Sequence, residues 1–173
     1  MSMRKFIFLA AVSATTVGLS QELPGLGEPV DDETLAAIDY TILPNGDGLP
    51  EGSGTAIQGA AVYQQNCLAC HGERGSGGIN DALAGGHGSL TSPRPQKTVG
   101  SFWPYATTVF DYVRRAMPLQ APGTLSNDEI YAVTAYILYL NGIVDENEQM
   151  NAESLPLVKM PNRDGFVWAY QPE

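Results

Sequence analysis

The sequence predicts an all-α fold of few helices joined by long irregular loops. Apolar residues recur at helical spacing in three stretches, beginning near Thr55, Trp103 and Ser126. No stretch shows a convincing strand alternation, and no internal repeat is present. The intervening segments are rich in glycine and proline, which punctuate helices rather than extend them. A length of 173 residues, 43% of them hydrophobic, suits one domain with a real core.

At the start, Arg4 and Lys5 precede an apolar run from Phe6 to Leu19. The run is too short to span a bilayer, which needs about 20 apolar residues. Its order is that of a secretory signal, so residues 1–20 are expected to be removed on export to the periplasm. Gly18-Leu19-Ser20 is the preferred cleavage site and Val12-Ser13-Ala14 its competitor, with an uncleaved membrane anchor as the alternative. Residues 21–54 read as an acidic, Pro/Gly-rich arm with one short helix, Asp31 to Ile38, capped by Asp31 or Asp32 and carrying Leu35 and Ile38 on one face.

A domain is expected over residues 55–142. Its first helix, from Thr55 through "TAIQGAAVYQQNCLACHG", has Ile57, Ala60, Ala61 and Tyr63 as its apolar face, and Gly59 permits close backbone approach. Residues 72–98 form a long Gly-rich loop with one helical turn expected near Asn80 to Leu83; a loop of that length needs something to wrap around. Trp103-Pro104 opens the second helix, with Pro104 in its first turn and a stripe of Ala106, Val109, Phe110 and Val113; Arg114 and Arg115 suit its C-terminal end. After the irregular "RAMPLQAPGTLS", Ser126 and Glu129 make a capping box. The helix that follows ends at Asn141-Gly142 and is apolar almost all round, as a core helix should be. Residues 143–173 form an irregular C-terminal arm, in which Phe166, Val167, Trp168 and Tyr170 are expected to pack.

The formal charge is −10, and loss of residues 1–20 removes Arg4 and Lys5 but no acid, leaving −12. Residues 21–54 hold eight acids and no base, whereas residues 71–117 hold five bases against three acids. Nucleic acid is a poor partner for such a chain, because phosphate binding needs clustered basic surface. Electrostatic selection of protein partners fits better.

Both cysteines fall within "QNCLACHG", as Cys67, Cys70 and then His71. Cys-x-x-Cys-His is the attachment pattern of c-type haem: two thiols a helical turn apart add to two vinyl groups while the following imidazole reaches the iron. Covalent attachment also keeps the sulfurs of an exported chain out of a disulfide. A thioredoxin-like dithiol would come with a βαβ pattern, and a zinc site with further Cys or His at spacing; the sequence has neither. One covalent haem c is therefore expected, held by Cys67, Cys70 and His71. For the sixth ligand the candidates are Met117, Met150, Met160 and His87, or an open position. Met117 is preferred, since it lies 46 residues after His71 between two helices and Pro118 stiffens the backbone behind it.

The helix with Gly59 and Tyr63, then CxxCH, then "MP", then "AYILYL", resembles class I cytochrome c over residues 55–142. The resemblance implies the class I fold, with Gly59 and Tyr63 crossing the last helix near Tyr136 and Leu140. More narrowly, "KTVGSFWPYATTVFDYVRRAMPLQAPGTLSNDEIYAVTAYILYLNGIV" and "SLPLVKMPNRDGF" are similar to the cytochrome subunit of the Sox sulfane dehydrogenase and to related cytochromes serving sulfite-oxidase-like molybdenum enzymes. That likeness runs from about Ile42 nearly to the C-terminus. It implies Cys67, Cys70, His71 and Met117 as haem residues, with Trp103 and Tyr105 of "FWPYAT" lining the pocket. Larger members carry two haem domains; this chain has one CxxCH.

The expected function is that of an exported monohaem electron carrier with no substrate chemistry of its own. The resemblance implies a molybdenum dehydrogenase of sulfite or sulfane sulfur as electron donor and a cytochrome or oxidase as acceptor. Rival functions are a general periplasmic shuttle and a haem-based binder of small ligands. A peroxidase would call for a second haem or a distal acid–base pair, and the sequence shows neither.

Overall fold

A computed structural model describes residues 26–167, 169 and 170. The expected signal over residues 1–20 lies outside the described residues, as does Trp168. The described residues divide between two units, the first ending at Asp39 and the second beginning at Tyr40. In the first, helix α1 spans Asp32–Ile38. The Asp31 carboxylate caps it by accepting the Thr34 N–H at 2.7 Å, and this bond holds the Asp31 carboxyl below its ordinary range. None of the helix is buried, Leu35 and Ile38 included.

The second unit holds α2 (Ala56–Asn66), α3 (Leu68–His71), α4 (Ala106–Ala116) and α5 (Asn127–Leu140). Two two-residue strands, β1 (Ser53–Gly54) and β2 (Met150–Asn151), pair antiparallel with Ser53 opposite Asn151 and Gly54 opposite Met150. Short 3-10 turns lie at Ser89–Thr91 and Leu155–Leu157. The expected turn near Asn80 to Leu83 is absent; that segment is held by loop-to-loop backbone bonds from Asn80 to Cys70 and from Leu83 to Gly75, leaving no helical ladder. Among the described residues no helix is long and apolar enough to cross a membrane.

Helix α5 is the spine. Its capping box is complete: Ser126 Oγ accepts the Glu129 N–H, and the Ser126 N–H reaches the Glu129 carboxylate. Ile130 through Ala135, Ile137 and Leu138 are all buried. Fully burying a side chain such as Leu138 or Phe110 is worth roughly 1.5–3 kcal/mol. Helix α4 packs on α5 through the expected stripe of Ala106, Val109, Phe110 and Val113, with the Phe110 and Tyr131 rings 4.4 Å apart. It begins one residue after its cap, Tyr105, so Pro104 precedes the helix instead of opening its first turn.

Helix α2 crosses α5 at Gly59. A Cβ there would sit 1.9 Å from the Ala132 carbonyl oxygen, and one on Gly54 would sit 2.5 Å from the Ala132 nitrogen. Two glycines thus let β1 and α2 both seat directly on Ala132. This crossing sets the rotation of α2, so its buried face is Ala56, Gly59 and Tyr63, while Ile57 and Ala61 point to solvent. Thr55 and Gln58 form a second capping box at its start.

The flanking segments are tied to this helical body. The Tyr131 hydroxyl donates to the Pro50 carbonyl at 2.9 Å, the Ser53 N–H to Asp128 at 2.7 Å, and Asn127 Nδ2 to the Glu51 carbonyl at 3.1 Å. Burial and the loss of hydration raise the Tyr131 phenol to about 12. The C-terminal segment is anchored by Met150, Leu155, Val158 and Met160, all buried in the core cluster. The expected anchors stay outside: Phe166, Val167 and Tyr170 are exposed, and Phe166 makes one edge contact with Phe102.

Candidate cofactor site

The helix leading into the Cys-x-x-Cys-His stretch is broken at Cys67, where φ of −121° ends α2 and starts α3. The break turns α3 so that Cys67, Cys70 and His71 all line one cavity of about 310 Å³. Clefts that hold cofactors run to roughly 300–1,000 Å³. Most of the remaining wall is apolar, including Leu83, Val99, Val109, Val113, Leu125, Val133 and Ile137. Helices α4 and α5 supply one side and the long loop the other.

The loop closes over α3 by backbone contact. The Asn80 N–H donates to the Cys70 carbonyl at 2.9 Å, which brings the Asp81 carbonyl to 2.8 Å from His71 Nδ1. A carbonyl can only accept, so Nδ1 carries the proton and Nε2 keeps a free lone pair. The far side of the loop is held by Asn141, 7% exposed at the end of α5. Its Oδ1 accepts the Gly85 N–H at 3.1 Å, and its Nδ2 donates to the Leu83 and Ile137 carbonyls at 3.1 and 2.8 Å. Sequence reasoning assigned Asn141 only as a helix terminator. A buried polar residue ending an apolar helix was the available signal, because such a group must find partners.

Cys67 and Cys70 are not joined as a disulfide. Burial, then the charge of Cys70 nearby, pushes the Cys67 thiol up to about 11, so it is a neutral thiol at ordinary pH. Redox dithiols have the opposite character, with a thiol lowered toward or below neutrality. Tyr63, under the same turn, donates to the Gly72 carbonyl at 2.8 Å and is raised to about 12 by burial and by Cys67. Its ring lies 5.2 Å from that of Tyr136 across the α2–α5 crossing. Among the described residues no cluster of three or more His, Cys, Asp or Glu is arranged to hold a bare metal ion.

Of the four candidate sixth ligands, Met117 lines the cavity. It ends α4, and its peptide bond to Pro118 is cis. Met150 and Met160 are buried in the core away from the cavity, and His87 is exposed on the loop. Trp103 lines the cavity, its ring edge-on to Tyr112 at 5.7 Å. Tyr105 does not line it; it caps α4, and the Arg163 guanidinium sits 4.6 Å over its ring. Two thiols, an imidazole with a free Nε2 and a thioether thus share one mainly apolar cavity. Such a donor set fits covalent capture of haem and ligation of its iron.

The family described as Cytochrome c matches residues 56–141. One chain of the crystal structure of the sulfane dehydrogenase SoxCD from Paracoccus pantotrophus is 46% identical, with a TM-score of 0.77, over 83% of this chain and 71% of that one. The thiosulfate dehydrogenase of Allochromatium vinosum is 33% identical over 97 residues, which are 54% of this chain; the chain spans only 36% of that enzyme. Covalently bound haem c and electron transfer come with the family. The matched residues hold the attachment motif, the crossing at Gly59 and the whole of α5, and with a structural relative at 46% identity they place this chain in the cytochrome c family.

Proposed function

We propose that this chain is an exported monohaem cytochrome that accepts electrons from a molybdenum sulfite or sulfane dehydrogenase subunit and passes them to another cytochrome or an oxidase. The observation that carries its core is the convergence of Cys67, Cys70, His71 and Met117 on one cavity. Residues 1–20 act as the signal, residues 55–142 form the haem domain, and residues 21–54 and 143–173 flank it. When bound, haem c supplies a one-electron iron couple that needs no substrate bond to be made or broken.

The chain's residues supply the rest. Cys67 and Cys70 provide the two thiols for attachment. His71 would hold the iron through Nε2, its ring fixed through Nδ1 by the Asp81 carbonyl. The Met117 thioether would serve as the second protein ligand to the iron, which would favour the ferrous state and raise the potential. Leu83, Val99, Val113 and Ile137 keep water from the cavity, and Trp103 forms part of its wall. The sulfur-compound donor is supported by the likeness to sulfane and thiosulfate dehydrogenases.

Two ratios test this on protein isolated natively from its host. One iron per polypeptide is expected, and two would remove the monohaem reading. Molybdenum copurifying in near-equal amount is expected of an electron-accepting subunit. A preparation with iron alone that sulfite or sulfane dehydrogenase cannot reduce would remove the sulfur-specific donor while leaving the haem reading intact.

A further inference from the structure

At the edge of the cavity, two surface cations run against the protein's acidic character. Lys97 and Arg163 are both exposed, and neither has a carboxylate within ion-pair distance among the described residues. Each is instead seated on an aromatic ring: Lys97 Nζ lies 5.0 Å from the centre of Phe102, and the Arg163 guanidinium 4.6 Å from that of Tyr105. An aromatic face orients a cation without neutralising it, so both charges remain available to a partner. Phe166 stands 53% exposed, its ring T-shaped to that of Phe102 at 5.3 Å, which adds apolar surface beside Lys97.

Two segments far apart in sequence are locked together to make this patch. Asn162 Nδ2 donates to the Phe102 carbonyl at 2.8 Å, which fixes residues 162–166 on residues 97–105. Lys97 also lines the cavity, as does Trp103, next to Phe102 in the chain. The patch is therefore continuous with the place where an electron would enter or leave. Arg163 and Phe166 lie outside residues 56–141 matched by the family, so two of the five patch residues come from the C-terminal segment.

We propose that Lys97, Arg163, Phe102, Tyr105 and Phe166 form the docking surface for an acidic redox protein at the mouth of the cavity. The inference rests on the electron-transfer reading and adds the partner's charge and its point of approach. Charge complementarity identifies the occupant. On a chain of net charge −10 these two unpaired cations offer an acidic partner a point of attraction, Asp164 being the one carboxylate within residues 162–166, so the patch sets orientation as well as affinity. An anionic membrane would meet the same net repulsion over a much wider area.

The test uses full-length, haem-loaded, reduced protein and two oxidants of opposite charge: an acidic plastocyanin and the cationic tris(phenanthroline)cobalt(III) ion. Stopped-flow rates are compared for the unaltered protein, Lys97→Gln/Arg163→Gln and Lys97→Glu/Arg163→Glu. At about 0.01 M salt, where the screening length is about 30 Å, charge reversal should slow plastocyanin on the order of tenfold. The Gln variant should fall between, the cobalt complex should react faster, and the plastocyanin difference should shrink at about 1 M salt, where the screening length is about 3 Å. Plastocyanin rates that do not respond to either variant, while both oxidants react, would overturn the docking surface and leave electron transfer standing. Failure of both oxidants to react with every form of the protein, the unaltered one included, would instead remove the electron-transfer reading beneath it. Cosedimentation with phosphatidylglycerol vesicles that is lost on charge reversal, with unaltered plastocyanin rates, would reassign the patch to a membrane.

Discussion

Gly59→Ala separates two effects of opposite sign. In a helix interior, alanine is favoured over glycine by about 1 kcal/mol, so local propensity alone makes the variant more stable. The crossing with α5 opposes this, because the new Cβ would lie 1.9 Å from the Ala132 oxygen, 2.4 Å from its carbonyl carbon and 2.9 Å from Tyr136 Cβ. Real Cβ contacts essentially never fall below 3.0 Å, so the helices must part by more than 1 Å. The obstacle is α5 backbone, which no rotamer change can move. Overpacking of this kind costs about 1–3 kcal/mol, and a backbone clash belongs at the upper end. The expected net loss is about 2 kcal/mol, read from denaturant unfolding of the haem-loaded protein by far-ultraviolet circular dichroism. Adding Ala132→Gly should not restore stability, since the clashing atoms are main chain. A Gly59→Ala protein as stable as the original, or more stable by the propensity gain, would refute the close crossing.

Three further outcomes are expected. Met117→Ala should alter the Soret spectrum and lower the midpoint potential; an unchanged spectrum and potential in spectroelectrochemistry would exclude Met117 as the sixth ligand. Asn141→Ala removes three hydrogen bonds at about 1 kcal/mol each, so a loss of about 2–4 kcal/mol is expected, with faster amide exchange at Gly85; unaltered exchange there would show that the loop is held by other contacts. Ser126→Ala should cost about 1 kcal/mol through the lost cap. The Ser126 backbone N–H, and then its hydroxyl, hold the Glu129 carboxyl below its ordinary 4.5, so this stability is present above that value and is lost as pH falls through the lowered one. The backbone N–H survives in Ser126→Ala, so most of this pH dependence should persist; a variant as stable as the original at neutral pH would show that the hydroxyl cap contributes nothing.

How much of this was legible in the sequence depended on whether a feature is local. The Ser126–Glu129 box, the apolar stripe of α4 and the Cys-x-x-Cys-His motif are each complete within a few residues, and each is present as expected. Gly59 was readable as a point of close approach, but the rotation of α2 was not, because Ile57 and Ala56 differ by one position and only Ala132 decides between them. The pairing of β1 with β2 involves two residues on each side, too few to show alternation. In the C-terminal segment the large aromatics drew attention by size, yet Met150, Leu155 and Met160 fill the core because they fall opposite the space left by α4 and α5. Tyr105 was placed in the pocket by likeness of motif; in the structure it is the residue before the first turn of α4 and its ring lies under the Arg163 guanidinium, a contact across 58 residues that no local motif could show.

The cavity itself depends on backbone more than on side chains. At Gly72, with φ of +81°, a Cβ would meet the Ser76 oxygen at 1.9 Å, and at Gly78 it would meet the Cys70 oxygen at 2.1 Å. Both glycines are therefore fixed by the path of the loop over α3, and that path is what delivers the Asp81 carbonyl to His71. A carboxylate in that position would also orient the ring, but it would add a charge that titrates. A carbonyl fixes the same tautomer with a dipole that does not change with pH. The glycine-rich loop, which read as a segment lacking structure of its own, is in this sense the element that sets the donor face of His71. Its apparent irregularity is the geometric condition for holding an imidazole by main chain alone.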